Sequence, residues 1–247
     1  MSCLRRLELK LSYVNPTTIG DDRRPLAGAG DIVPLPKLMQ LVFTGYTIYL
    51  EALLVALAAS SLQYLETKLT GGTGLFPIPH LCKIICDSDN QFNWVHFDFS
   101  YSGFTFTAGK CSGSVHAKPF TITHDGDISL EEMGNKLCGP LSTVEELVVG
   151  RGYRYRPRVQ WHRFFDYVQQ VKFVQVPSEV ALYFAPLFQL DGQEQAIGIL
   201  PVLEQIKVQM YRPLIESGDQ YAPIRDAFEP IIAARKQMGR HIFLSWE

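Results

Sequence analysis

What this chain lacks narrows it first. It holds no Gly-x-x-x-x-Gly-Lys-Ser/Thr loop and no Gly-x-Gly-x-x-Gly turn, so the familiar backbone cradles for nucleotide phosphates are missing. Charge is sparse at 19%, and the formal net charge is -2. That excludes a generally basic chain that coats nucleic acid non-specifically and leaves room only for a local basic site. Cysteine is scarce: Cys3, Cys82, Cys86, Cys111 and Cys138 are an odd number with no Cys-x-x-Cys pair. That usage fits free thiols in a reducing compartment and predicts a cytoplasmic protein. No signal peptide is read at the start, where Glu8 and Lys10 interrupt any apolar run. The sequon-like triplet Asn15-Pro16-Thr17 has proline in the middle and cannot be glycosylated. No internal repeat and no low-complexity tract is read.

What is present suffices for a substantial core. Hydrophobic residues make up 47% of 247 residues, enough for one large or two small domains. The expectation is a single α+β domain over 1–247, with a subdivision into 1–150 and 151–247 as the alternative. Leu7, Leu9 and Leu11 alternate with Arg6, Glu8 and Lys10, which predicts a half-buried strand over Arg5–Tyr13. Residues 15–36 carry seven prolines and glycines and read as loop. Leu38–Phe43 fits a short strand or a helix start. Ile48–Leu69 reads as one helix, with Leu50, Leu53, Leu54, Leu57, Leu62 and Leu65 three and four apart. Lys83–Cys86, Trp94–Tyr101, Phe104–Ala108 and Val115–Thr123 read as strands, the last three as a meander through the Ser102-Gly103 turn. Two short helices follow, opened by the capping boxes Ser129-Leu130-Glu131-Glu132 and Ser142-Thr143-Val144-Glu145. Further on, Phe164–Val171 reads as helix, Val180–Ala185 as strand, Pro201–Tyr211 and Pro223–Met238 as helices, and Ile242–Trp246 as strand.

Charge is concentrated in one place. Residues 92–150 carry seven acids against three lysines, whereas 151–172 carry five arginines and Lys172 against Asp166. Within the second segment Arg151, Arg154, Arg156, Arg158 and Arg163 stand among Tyr153, Tyr155, Trp161 and His162. In an extended chain Tyr153 and Tyr155 share one face and Arg154, Arg156 and Arg158 the other. Guanidinium groups suit phosphates and aromatic faces suit bases. The strip therefore reads as a contact for a nucleic-acid strand, with Arg154, Arg156 and Arg158 on phosphates and Tyr155 or Trp161 stacking. The competing reading is a surface strand whose arginines pair with the adjoining acidic segment.

Other constellations are incomplete. Asp125-Gly126-Asp127 opens like a calcium loop but has Leu130 at the sixth position and Lys136 at the twelfth. His80, Cys82 and Cys86 lack a second ligand pair, so no metal is expected. Cys111 near His96 or His116 has no nucleophile context. Cys3 beside Arg5 and Arg6 is the one candidate for lipidation. His96-Phe97-Asp98 has the spacing of two ligands of an Fe(II) oxygenase, with His116, His124 or His162 as a distal third. The apolar stretch 38–65 offers a third class, a structural or membrane-associated assembly protein, although Glu51 and Gln63 favour a core helix.

The first strand, the helix Tyr49-Leu50-Glu51-Ala52-Leu53-Leu54-Val55-Ala56-Leu57-Ala58, the triplet Pro77-Ile78-Pro79 and Gly152-Tyr153-Arg154-Tyr155-Arg156-Pro157 together resemble the RAMP proteins of CRISPR effector complexes. The nearest likeness is to the subunit that holds the 5′ handle of guide RNA in type IV systems. It covers about a third of the chain. It departs in lacking the glycine-rich loop near the C-terminus and in its longer helices over 201–238. The resemblance implies a ferredoxin-like (RRM-like) antiparallel sheet with packed helices and a β-hairpin extension. It also implies a non-catalytic subunit of an antiviral nucleoprotein complex, with no cofactor. Its partners are guide RNA and other protein subunits, with no membrane. The expected RNA contacts are Arg151, Arg154, Tyr155, Arg156, Arg158, Trp161 and Arg163.

Overall fold

Four times the chain spells one apolar phrase: two hydrophobic residues three apart, a third three further on, and a fourth two beyond that. It is Leu35, Leu38, Leu41, Phe43; then Leu141, Val144, Leu147, Val149; then Val168, Val171, Val174, Val176; then Leu200, Leu203, Ile206, Val208, and all of these side chains are buried. In the computed structural model, which describes residues 4–11, 35–57, 62–70, 79–87, 91–100, 102–112, 115–126, 129–150, 161–188, 199–210 and 221–247, each phrase folds the same way. Its first two members close a turn: Leu38 N–H donates to Leu35 O at 3.0 Å, Val144 to Leu141 at 3.1 Å, Val171 to Val168 at 3.2 Å and Leu203 to Leu200 at 3.1 Å. Its last two lie on one face of a strand, as period-two geometry requires.

Five of the ten strands also enter the sheet alike. The carbonyl of Glu145 accepts from Lys172 and Phe173 at 2.8 and 3.0 Å, and that of Lys172 accepts from Glu204 and Gln205 at 2.8 and 3.0 Å. The carbonyls of Arg5, Met39 and Asn93 do the same for Met39 with Gln40, Gln63 with Tyr64, and Glu145 with Glu146. Each of these five strands hooks two N–H groups on the carbonyl just before its neighbour.

The elements in order are β1 (Arg6–Lys10), β2 (Gln40–Tyr46), α1 (Thr47–Leu57), β3 (Tyr64–Thr70), α2 (Pro79–Asp87), β4 (Trp94–Phe99), β5 (Phe104–Ser112), β6 (Val115–His124), α3 (Leu130–Lys136), α4 (Cys138–Leu141), β7 (Glu146–Val149), α5 (Trp161–Phe165), β8 (Phe173–Pro177), α6 (Ser178–Phe184) with a 3-10 turn over Ala185–Phe188, β9 (Gln205–Gln209), α7 (Ala222–Gln237) and β10 (Phe243–Trp246). They build one ten-stranded sheet in the order β1-β2-β3-β6-β5-β4-β7-β8-β9-β10. Among these strands β5 alone runs against the rest; every pairing that does not involve it is parallel. Helices and strands follow each other along most of the chain, and two crossovers reorder the middle of the sheet so that β3 pairs with β6 and β4 with β7.

Register threads the core through every strand. One ladder runs Leu7, Leu41, Leu65, Phe120, Ala108, Val95, Leu147, Val174, Ile206, Leu244, each paired with the next. The helices supply the facing layer: Leu50, Leu54, Leu81, Ile85, Met133, Phe164, Phe184, Ile224 and Phe228 belong to the same buried cluster. At about 1.5–3 kcal/mol for each fully buried aliphatic or aromatic side chain, these ladders are the largest stabilising contribution in the fold.

The mixture of helix and strand is as expected, and the meander β4–β5–β6 is where the Ser102-Gly103 turn predicts it. The ferredoxin-like antiparallel arrangement is not the one built, because every strand pairing outside the meander is parallel. The expected absence of repeats is corrected by the recurring phrase. Ile48–Leu69 is not one helix: α1 stops at Leu57, and Tyr64–Thr70 is a strand. Lys83–Cys86 lies in a helix, with Leu81, Cys82 and Ile85 buried at helical spacing, and Val180–Ala185 lies in α6 and the following turn for the same reason. Pro201–Tyr211 contains strand β9 instead of a helix. Ser129 caps α3 as predicted, accepting from Glu132 N–H at 3.2 Å. Ser142 instead ends α4, and its hydroxyl donates to Gly139 O at 2.7 Å.

Candidate functional site

The described helices share the face of the sheet that carries the apolar ladders. The opposite face presents a different row from every strand: Glu8, Val42, Glu66, Thr121, Thr107, His96, Val148, Gln175, Lys207, Ser245, again each paired with the next. These side chains belong to no part of the buried cluster, and all but Thr107 are partly or fully exposed. In the repeated phrase this row is the slot between the third and fourth apolar residues: Val42, Val148, Gln175 and Lys207. That slot was the signal in the sequence, and it was missed along with the repeat.

Charge on this open face is balanced and locally paired. Arg6, Lys10, Lys68 and Lys207 stand against Glu8, Glu66, Asp98 and Glu146. Lys10 contacts Glu8 at 3.1 Å and, with Arg6, holds that carboxyl below its usual range. Tyr64 donates to Glu66 at 2.7 Å, which pushes the phenol up. Lys207 reaches Glu247 at 2.7 Å and pulls its carboxyl down. Phe173 and Phe243 flank Gln205 in register and are exposed, so the β8–β10 end is more apolar than the β1–β3 end.

His96 and Asp98 do share this face, as their spacing predicts. Gly150, at the end of β7, leaves the room they occupy: a Cβ there would lie 2.7 Å from Asp98 Oδ1 and 3.0 Å from His96 Nε2. The third iron ligand does not follow. His124 pairs with Leu69 and Phe104 on the helix-covered face, and His162 lies in α5. The His116 side chain is outside the described residues. Among the described residues no group of three His, Cys, Asp or Glu side chains is placed to hold a metal ion.

Of the arginine strip, Arg151, Arg154, Tyr155, Arg156 and Arg158 lie outside the described residues. The two remaining members are placed otherwise than expected. Trp161 is fully buried, packed edge-on against Phe97 at 5.5 Å and beside Phe184 at 5.1 Å, so it is a core residue and offers no stacking face. Arg163 is engaged with Glu131 at 2.5 Å, and Lys172 with Glu145 at 2.8 Å. Both pairs join the basic segment to the acidic one before it, as the competing sequence reading has it.

The apolar stretch 38–65 is divided among β2, α1 and the start of β3, and among the described residues no helix is long and apolar enough to cross a membrane. Cys82 is buried, and burial pushes its thiol up to about 12, while Cys86 and Cys138 are exposed and outside any disulfide. Compared with known proteins, the chain matches no family model, no curated protein and no solved structure.

Proposed function

We propose that the protein is a non-catalytic recognition platform within a larger assembly, and that its open sheet face receives a polypeptide partner. The observation that carries this reading is the row with one side chain from every strand, all but Thr107 at least partly exposed, lying on a face free of the described helices. An array of polar, aliphatic and oppositely charged groups suits the mixed surface of a protein. It suits a phosphate backbone poorly, because that requires an excess of cations. The test is to purify the protein with its native partners from cells carrying Glu66→Arg, Gln175→Arg and Lys207→Glu together. Loss of the co-purifying protein is expected, with retention in a Glu229→Arg control on α7. Equal retention in both sinks the reading.

A second reading is favoured by the four arginines within 151–158. In it the chain is an RNA-binding subunit of a nucleoprotein complex of the CRISPR effector kind, and Arg151, Arg154, Arg156, Arg158 and Tyr155 hold the strand. It requires that Arg154→Glu with Arg156→Glu abolish ribonuclease-sensitive absorbance at 260 nm in the purified complex without unfolding the protein. Each lost phosphate contact should flatten the salt dependence by about 0.7 per unit log salt.

A further inference from the structure

Two crossovers pass each other on the helix face. α2 carries the chain from β3 past β6 and β5 to β4, and α3 with α4 carries it from β6 past β5 and β4 to β7. Where they meet, the Cys86 thiol at the end of α2 donates to the Lys136 carbonyl at 3.4 Å. Lys136 closes α3, and Cys138, two residues on, opens α4. Cys86 and Cys138 are both exposed, and neither is in a disulfide.

We propose that Cys86 and Cys138 form an oxidation-sensitive dithiol that hydrogen peroxide converts to a disulfide, tying α2 to α4. Consecutive Cα atoms are about 3.8 Å apart, so a helical bend of two residues keeps Cys138 within a side-chain length of the carbonyl that Cys86 already touches. A disulfide spans about 4.4–6.8 Å between Cα atoms, and the proposal requires that separation where α2 meets the start of α4. Cys82, one turn back on α2, is buried and stays out of the exchange.

The chemistry is self-contained. One thiolate attacks a peroxide oxygen, the O–O bond breaks, and the first water leaves as that sulfur becomes a sulfenic acid. The second thiolate attacks the sulfenic sulfur, the S–O bond breaks, the S–S bond forms, and the second water leaves. Each sulfur gives up one electron, and the two thiol protons end in the two waters. The new bond closes a loop around β4, β5 and β6, the meander that joins the two parallel parts of the sheet.

The test uses the folded full chain. It is exposed to hydrogen peroxide, quenched with N-ethylmaleimide, digested without reductant and mapped by mass. The expected product is a Cys86–Cys138 linked peptide pair, two hydrogens lighter than its separate peptides, retained in Cys82→Ser and absent in Cys138→Ser. Recovery of both cysteines as maleimide adducts after peroxide overturns the proposal, as does a Cys86–Cys82 link. The mapping is decisive on the unsubstituted chain, so it stands even where a variant fails to fold.

Discussion

Arg163 on α5 donates to the Glu131 carboxylate on α3 at 2.5 Å, so a residue of the most basic stretch in the chain is spent on its own acidic neighbour. Both side chains keep substantial exposure, and exposed pairs of this kind contribute about 0–1 kcal/mol. Arg163→Glu should lower the urea midpoint only slightly. The swap Arg163→Glu with Glu131→Arg should restore it. A loss several times larger would mean that Arg163 carries more than this pair.

Gly134 on α3 packs against Tyr167, two residues past the end of α5. A Cβ on Gly134 would meet the Tyr167 ring at 2.2 Å, and that ring is held by a hydrogen bond from its hydroxyl to Asn135 Oδ1 at 2.6 Å. Alanine is favoured over glycine in a helix by about 1 kcal/mol, whereas overpacking costs about 1–3 kcal/mol. Gly134→Ala should therefore destabilise the protein. In a Tyr167→Ala background the same substitution should stabilise it by about 1 kcal/mol. Equal signs in the two backgrounds, read by denaturant melts, would refute the contact.

Arg235 is fully buried and donates to the carbonyls of Leu200, at 3.0 Å, and of Ile199. Burial pulls its guanidinium down to about 10, still charged at neutral pH. The clamp holds a turn in which Leu200 adopts a φ of +48°, a region that costs a leucine about 1 kcal/mol or more. Arg235→Met removes both donors and should cost about 2–4 kcal/mol in equilibrium unfolding. A cost below 1 kcal/mol would show that the turn holds without the clamp.

His124 links stability to pH. It is nearly buried, its Nδ1 accepts the Gly126 N–H at 2.8 Å, and burial lowers its pKa while Asp125 partly opposes the shift. The folded state thus favours the neutral ring. Above about pH 6.5 folded and unfolded chains are both neutral at this site, and stability is flat. As pH falls below that value the unfolded chain takes up a proton first, and stability declines until the folded pKa is reached. Thermal melts from pH 8 to 5 should show the decline, and His124→Phe should remove part of it. An unchanged slope in the variant would assign the effect to other groups.

The strands with clean alternation were legible from the sequence: β1, β4, the meander and β10 stand where Leu7 and Leu9, Val95 to Phe99, and Ile242 to Trp246 place them. The errors share one cause. Leu200, Leu203 and Ile206 are spaced by three, which imitates a helix face, but the first interval closes a turn and the chain is extended by the third residue. The same imitation let the helix read from Ile48 run on through Leu62 and Leu65 into β3. Ladder partners far apart in sequence, such as Val174 and Ile206, decide the register, and no local window contains them. At the site, the shared face of His96 and Asp98 followed from spacing alone. Trp161 did not: its neighbours Arg158 and Arg163 suggest a surface, and only its packing on Phe97 and Phe184 reveals a core residue.

The strand order has a mechanical consequence. β1 and β10 lie at opposite ends of the sheet, roughly 40 Å apart at the usual strand spacing. Tension applied at those two strands pulls across the ladders. The hydrogen bonds of one strand then open in succession instead of all being sheared at once. Such a protein yields at low force from its ends inward, strand by strand, and behaves under load as a compliant extensible spring.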